Sequence, residues 1–259
     1  MKKLFFIFYF FSSIAFSQEQ TTKYFHVPTF NDSVKEISLD SGWLFKDGDN
    51  ILYSKTNIDD SSWLPTSSQL PFNADGTNKF TGICWLRLHF YLDSIMYKYP
   101  LCLLIDQDGA SDIFLDGKLI HSNGIVSIDA SREVKYNPNK TPCSFNCSAA
   151  GMHVLAIRYS NTNFKILYKK LDAQNPGISI QIANLDNSLI GNFSRKVIST
   201  SILTAITMFF LTLGFVHLLL YLFYRKQKTN LYYSIFVVLL GCLFIFPIIS
   251  ENSTDPEYP

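Results

Sequence analysis

The chain has 259 residues, with 22 Lys and Arg against 21 Asp and Glu, a formal net charge of +1. That balance excludes a basic face for nucleic acid and an acidic tail as the feature that selects a partner. Hydrophobic residues make up 47% and charged residues 17%, but the mean hydropathy of +0.12 averages two unlike parts: 18–187 reads as an ordinary water-soluble domain, whereas 197–249 is almost unbroken hydrocarbon.

At the N-terminus, Met1-Lys2-Lys3, an apolar run over 4–11 and Ser12-Ser13-Ile14-Ala15-Phe16-Ser17 follow the three-part pattern of a secretory signal, with Ala15 and Ser17 fitting the small-residue cleavage rule. A signal peptide over 1–17 is expected, the alternative being an uncleaved N-terminal anchor. The apolar run is short for a bilayer span.

From about residue 35 to 183, short apolar stretches alternate with period two between clusters of Asp, Asn, Gly and Pro, which predicts strands. The clearest is 84–92, where Leu86, Leu88, Phe90 and Leu92 point one way and Trp85, Arg87, His89 and Tyr91 the other. Further strands are predicted at 101–106, 111–116, 152–160 and 178–183, and Asp116-Gly117 marks a tight hairpin turn. Regular short strands with no intervening helices favour a mainly β, antiparallel jelly-roll sandwich over 18–187. Among the 5 cysteines, Cys143 and Cys147 are near enough in sequence to be a disulfide candidate, while Cys84 and Cys102 sit in predicted strands as small hydrophobes.

A short connector, 188–197, leads to an uncharged run over 198–224, long enough to cross a bilayer as a helix. A loop at 225–230 carries Arg225, Lys226 and Lys228, and a second apolar run occupies 231–249. The reading is a transmembrane α-helical hairpin. Cations in a short loop place it on the cytoplasmic side, so the β domain and the tail 250–259 lie outside, in agreement with the signal peptide. A multi-pass membrane protein with its β domain outside the cytoplasm is therefore expected.

Two groups of motifs resemble known families. Gly42-Trp43-Leu44-Phe45 with Gly48-Asp49, Asp59-Asp60-Ser61-Ser62-Trp63, Gly82-Ile83-Cys84-Trp85-Leu86-Arg87 and Ile113-Phe114-Leu115-Asp116-Gly117-Lys118-Leu119-Ile120, in that order, resemble the galactose-binding-like jelly roll, the module that forms the sugar-binding domain of glycoside hydrolase family 2 and recurs in bacterial receptors. The stretch His217-Leu218-Leu219-Leu220-Tyr221-Leu222-Phe223-Tyr224-Arg225-Lys226-Gln227-Lys228-Thr229-Asn230-Leu231-Tyr232-Tyr233-Ser234-Ile235-Phe236 is similar to the first helical hairpin of bacterial seven-transmembrane receptors with diverse intracellular signalling modules. The resemblance implies a sensory input and anchoring part whose effector, a histidine kinase, phosphatase or cyclase, is not among these residues. A membrane-tethered carbohydrate-binding accessory domain is the alternative.

Read as side chains alone, the motif residues favour structure. Trp43, Trp63 and Trp85 are large apolar bodies that anchor a sandwich, and Arg87 on a strand pairs with a carboxylate such as Asp60. Trp85, Arg87, His89 and Tyr91 are the ligand-binding candidates, Trp43, Asp60, Trp63, Asp116 and Gly117 the structural motif, and Arg225, Lys226 and Lys228 the residues that set topology. Asp47-Gly48-Asp49-Asn50 lacks the spacing of a calcium loop and reads as a solvated turn. No nucleophile elbow, metalloprotease helix or glycine-rich phosphate loop occurs, so no catalytic residue, metal or cofactor is expected. Membrane lipid, a carbohydrate or extracytoplasmic protein ligand, and a second copy in a homodimer are the partners this reading admits.

Overall fold

The computed structural model describes residues 24–31, 34–70, 79–164 and 175–246. The expected signal peptide 1–17 and tail 250–259 lie outside them. Among the described residues eleven strands form two sheets. The larger contains β1 (Phe25–His26), β3 (Trp43–Asp47), β4 (Leu64–Thr66), β5 (Ile83–Leu92), β7 (Ala110–Leu115), β8 (Lys118–Asn123) and β10 (Gly151–Ser160), in the order β4-β3-β5-β10-β7-β8. The smaller contains β2 (Glu36–Ser38), β6 (Leu101–Gln107), β9 (Cys143–Phe145) and β11 (Ile178–Asn184), in the order β2-β11-β6-β9. Pairing is antiparallel except that β1 runs parallel to β5. β10 takes one edge of β5 along its whole length, so β3 (opposite Cys84–Arg87) and β1 (opposite Phe90–Tyr91) share the other.

Alternation explains which faces meet. Leu86, Leu88, Phe90 and Leu92 of β5 enter one core with Leu101, Leu103 and Ile105 of β6, Leu155 and Ile157 of β10, and Ile178, Ile180 and Ile182 of β11. Each such side chain contributes about 1.5–3 kcal/mol by leaving water, and the core is continuous between the two sheets. Trp43 belongs to it and donates its indole N–H to the Leu39 carbonyl. The β7–β8 hairpin turns at Asp116-Gly117, with φ +50° and +82°, the left-handed pair that a two-residue turn requires.

The connector expected at 188–197 is helical. β11 ends at Asn184 and α1 (Leu185–Phe223) begins at the next residue, with the Asn184 side chain accepting from the Asn187 N–H as the N-cap and Asp186 in the first turn. Hydrophobicity marks where hydrocarbon begins, whereas capping chemistry marks where the helix begins, hence the difference from the expected 198–224. After a turn containing Arg225 and Lys226, α2 covers Lys228–Leu243, starting inside the expected loop 225–230; residues 247–249 of the expected second run lie outside the described residues. Among the described residues one helix, α1, is long and apolar enough to cross a membrane, with an 18-residue window of mean hydropathy 2.1; α2 is shorter, at 16 residues.

The two helices pack through small residues. A Cβ on Gly214 would meet Val238 Cγ2 at 2.6 Å, and one on Gly241 would meet Phe210 Cβ at 3.2 Å. Ser234 donates its hydroxyl to the Gly214 carbonyl at 2.9 Å, and His217 stacks on Tyr233. Small residues at the contact are what let the two backbones approach this closely. Their remaining faces are uncovered and apolar, with Phe209 64% and Phe223 80% exposed.

Candidate functional sites

The outer face of β5 carries the four ligand-binding candidates, and the structure divides them. The 3₁₀ turn Ile51–Ser54 and the loop through Trp63 fold over the half of the strand that holds Trp85 and Arg87, and both are fully buried. Trp85 packs with Trp63, Phe114 and Ala156, and Tyr53 sets its ring edge-on to both tryptophans. These residues are beyond the reach of a ligand and hold the covering loop in place. Alternation separates the two faces but does not show what covers this one, because a covering segment distant in sequence leaves no trace in the strand's own pattern.

Arg87 is fixed from three sides. Its Nε donates to Asp60 Oδ2 at 2.7 Å, Nη1 donates to the carbonyls of Tyr53 and Lys55 at 2.7 and 2.9 Å, and the guanidinium lies over the Trp63 ring. His89 shares the same carboxylate oxygen, with Nε2 2.8 Å from Asp60 Oδ2. Burial alone would push the Asp60 carboxyl up, but the hydrogen bonds and charges of Arg87 and His89 outweigh it and hold the group below the usual carboxylate range. The expected Arg87–Asp60 pair is therefore present, with His89 as a third member.

Tyr91 and His89 are half-buried and border an aromatic group. His26 stacks on Tyr91 with ring centroids 5.5 Å apart, and Tyr24, 52% exposed, lies 6.2 Å from Tyr91. This is the part of the candidate face that meets solvent. Tyr24 and His26 escaped the sequence reading because a two-residue strand has no periodicity, and only its pairing with β5 places it there.

The Asp47-Gly48-Asp49-Asn50 run is a turn whose side chains are committed within the protein. Asp47 accepts from Thr81, Asn50 caps the 3₁₀ turn, and Asp49 takes Nε and Nη2 of Arg158 at 2.7 and 2.6 Å. The Arg158 hydrogen bond holds the Asp49 carboxyl below its ordinary range. At the hairpin, Asp116 accepts from the Val154 N–H at 2.9 Å and lies 2.7 Å from His153 Nδ1. Asp116 and Gly117 thus act structurally.

In this structure the candidate pair Cys143 and Cys147 are free thiols. Cys143 is in β9 and faces the core between the sheets, and Cys147, beyond the end of that strand, packs against the same core. A bridge needs convergent Cβ atoms. Burial pushes the two thiols up to about 11 and about 12. Arg225, Lys226 and Lys228 are exposed at the turn between α1 and α2.

The second site is a half-open cavity of about 460 Å³ where the smaller sheet meets the first turns of α1. Lys35 and Glu36 at β2, Leu104 of β6, Lys140 and the α1 residues Asn187, Ser188, Asn192 and Arg195 line it. Leu185 anchors the junction, its N–H donating to the Pro100 carbonyl at 2.8 Å and its side chain packing on Cys102, Leu104 and Ala183.

No family model and no curated protein matches the sequence. Among solved structures, the chain is similar to a glycosyl hydrolase family 2 member from Bacteroides cellulosilyticus, at 23% identity and TM-score 0.36 over 58% of this chain and 21% of that one. It is also similar to a Bacteroides uniformis beta-glucuronidase, at 18% identity and TM-score 0.40 over 57% of this chain and 18% of that one, and to the Bifidobacterium dentium beta-glucuronidase, at 15% identity and TM-score 0.37 over 63% and 32%. The chain spans about a fifth of the length of the first of these proteins.

Proposed function

We propose that this chain is the sensory input and membrane anchor of a bacterial transmembrane signalling receptor, with a galactose-binding-like jelly roll in the periplasm and α1 and α2 as a hairpin in the inner membrane. The observation that carries this reading is the direct join of β11 to α1. No residue separates Asn184 from Leu185, and the junction is held by the Leu185–Pro100 hydrogen bond and by Asn192, whose Nδ2 donates to the Lys140 carbonyl at 2.7 Å. A strain in the sheet therefore reaches the helix without passing through a flexible tether. Uncovered apolar helix faces favour lipid around them, and Arg225, Lys226 and Lys228 favour a cytoplasmic turn.

The ligand, a carbohydrate or an extracytoplasmic protein, meets the aromatic face of Tyr24, His26, Tyr91 and His89, and transduction requires that it bind one helix arrangement better than another. The chain itself carries no catalytic step in this reading; the kinase, phosphatase or cyclase belongs to a further part of the receptor. A membrane-tethered carbohydrate-binding accessory domain is the second reading, favoured by the stacked His26 and Tyr91 rings at the solvent-facing end of β5, aromatic surface of the kind on which a sugar ring packs. A homodimer through the uncovered helix faces is compatible with both.

The test has two arms on the full-length protein. A reporter active only in the cytoplasm, inserted beside Lys228, is expected to be active, and a periplasmic result would refute the topology. Titration with mono- and oligosaccharides, followed by tryptophan fluorescence in wild type and Tyr91→Ala, is expected to give a response in wild type alone. Silence across the sugars would refute the carbohydrate version and leave a protein ligand.

A further inference from the structure

The cavity at the sheet–helix junction is cationic and shares no lining residue with the aromatic face of Tyr24, His26, His89 and Tyr91. Its lining carries Lys35, Lys140 and Arg195 against the single carboxylate of Glu36, and none of the ion pairs among the described residues uses the three cations. Asn187, Ser188 and Asn192 add amide and hydroxyl groups to the helix side. The sheet side is held firmly. Asn139 and Lys140 have φ +48° and +55°, two successive non-glycine residues in a conformation that costs roughly 1–3 kcal/mol each. The strain is sustained by the Asn139 N–H to Asn137 Oδ1, Lys140 N–H to Ile105 carbonyl and Asn192 Nδ2 to Lys140 carbonyl bonds, at 2.8, 2.8 and 2.7 Å. Lys140 is thus presented in the cavity wall by a strained turn tied to both the sheet and α1.

The position of the cavity along α1 indicates its ligand. Arg195 and Lys196 are the last charged residues before the uncharged run 197–224. From Asn187 to Arg195 the helix rises by about 12 Å at ~1.5 Å per residue, while the headgroup layer on each side of a bilayer is roughly 5–8 Å deep. On the membrane reading proposed above, on which this inference rests, the cavity starts at the hydrocarbon edge and runs through the whole headgroup layer. Its volume falls in the range of small-molecule sites.

We propose that this cavity binds a phosphate-bearing anionic headgroup, supplied by a lipid of the surrounding leaflet, between Lys35, Lys140 and Arg195. The headgroup wedges between β2, the Lys140 turn and the first turns of α1, so lipid composition biases the angle at which the domain stands on its helix.

The experiment uses the full chain reconstituted in vesicles with spin-labelled phosphatidylglycerol or phosphatidylcholine, reading the motionally restricted fraction of each. Wild type is expected to prefer phosphatidylglycerol. Lys35→Gln with Arg195→Gln is expected to lower that preference about fivefold for each cation removed, and Arg195→Lys to keep it. Arg225, Lys226 and Lys228 attract anionic lipid in all proteins alike, so the difference from wild type is the reading; Lys46→Gln, on β3 of the other sheet, is expected to change nothing. An unchanged preference in the double variant, with wild-type partitioning into both vesicles, overturns this inference and leaves the anchor intact. Displacement of labelled phosphatidylglycerol by an equal concentration of inorganic phosphate overturns the lipid as the source. Failure of the wild-type chain to enter either vesicle overturns the membrane reading itself.

Discussion

Replacing Asp60 by Ala removes the carboxylate that faces a fully buried guanidinium. Arg87 keeps two carbonyl acceptors and the Trp63 ring but loses the carboxylate paired with it, and His89 loses the same partner. Breaking one side of a buried ion pair costs about 3–5 kcal/mol, and for a domain of this size each kcal/mol lowers Tm by about 2–4 °C, giving roughly 6–20 °C for Asp60→Ala. Asp60→Leu with Arg87→Met removes both charges and is expected to recover most of that loss, since an apolar replacement of a buried pair is often close to neutral. All 3 tryptophans lie in the β domain, so thermal unfolding of the full chain in detergent, followed by tryptophan fluorescence, reads this site directly. A single variant within 2 °C of wild type, or a double variant less stable than Asp60→Ala, would refute the account of Arg87 as a charge held by Asp60.

Acid should weaken the same network. The Asp60 and Asp49 carboxyls are held below their ordinary range, so their stabilisation is complete above the unfolded value near 4 and is lost as pH falls through the lower folded values; Asp60→Asn should flatten the decline of Tm below about pH 4, and an unaltered decline would assign it to other groups. Gly214→Leu should force the helices apart, because even a Cβ meets Val238 Cγ2 at 2.6 Å; after cleavage at a protease site inserted between Lys226 and Gln227, α2 is expected to stay with α1 in wild type and separate in the variant. Titration of the denatured chain with a thiol reagent, without reductant, should count 5 reactive cysteines, and a count of 3 would restore the Cys143–Cys147 bridge. Asp116→Ala removes the acceptor of Val154 and His153 and places a residue poorly suited to φ +50°; a loss of about 2–4 kcal/mol is expected, read as a lower Tm.

What the sequence made legible follows from range. The facing of Leu86, Leu88, Phe90 and Leu92 depends only on strand parity, and the Asp116-Gly117 turn only on two adjacent residues, so both were readable. The Arg87–Asp60 pair was readable from chemistry, because an arginine on a tryptophan-flanked strand needs a counter-charge and the Asp59-Asp60 motif offers one. Which segment covers Trp85 and Arg87 was not, since it begins more than thirty positions upstream, beyond the reach of a local pattern. The cavity at the junction was hidden for the same reason: its wall draws on β2, β6, the Lys140 turn and α1, which pattern and spacing do not bring together. The start of α1 had a local signal, Asn184 capping and Asp186 in the first turn, masked by the stronger hydropathy step after Lys196.

The seamless passage from β11 into α1 has a mechanical consequence. A 39-residue helix is about 58 Å long at ~1.5 Å per residue, so a tilt of about 10° at its root swings the far end by roughly 10 Å. In the receptor proposed above, α1 would work as a lever with its fulcrum at Leu185, and a small adjustment at the sheet would be magnified at the Arg225–Lys228 turn.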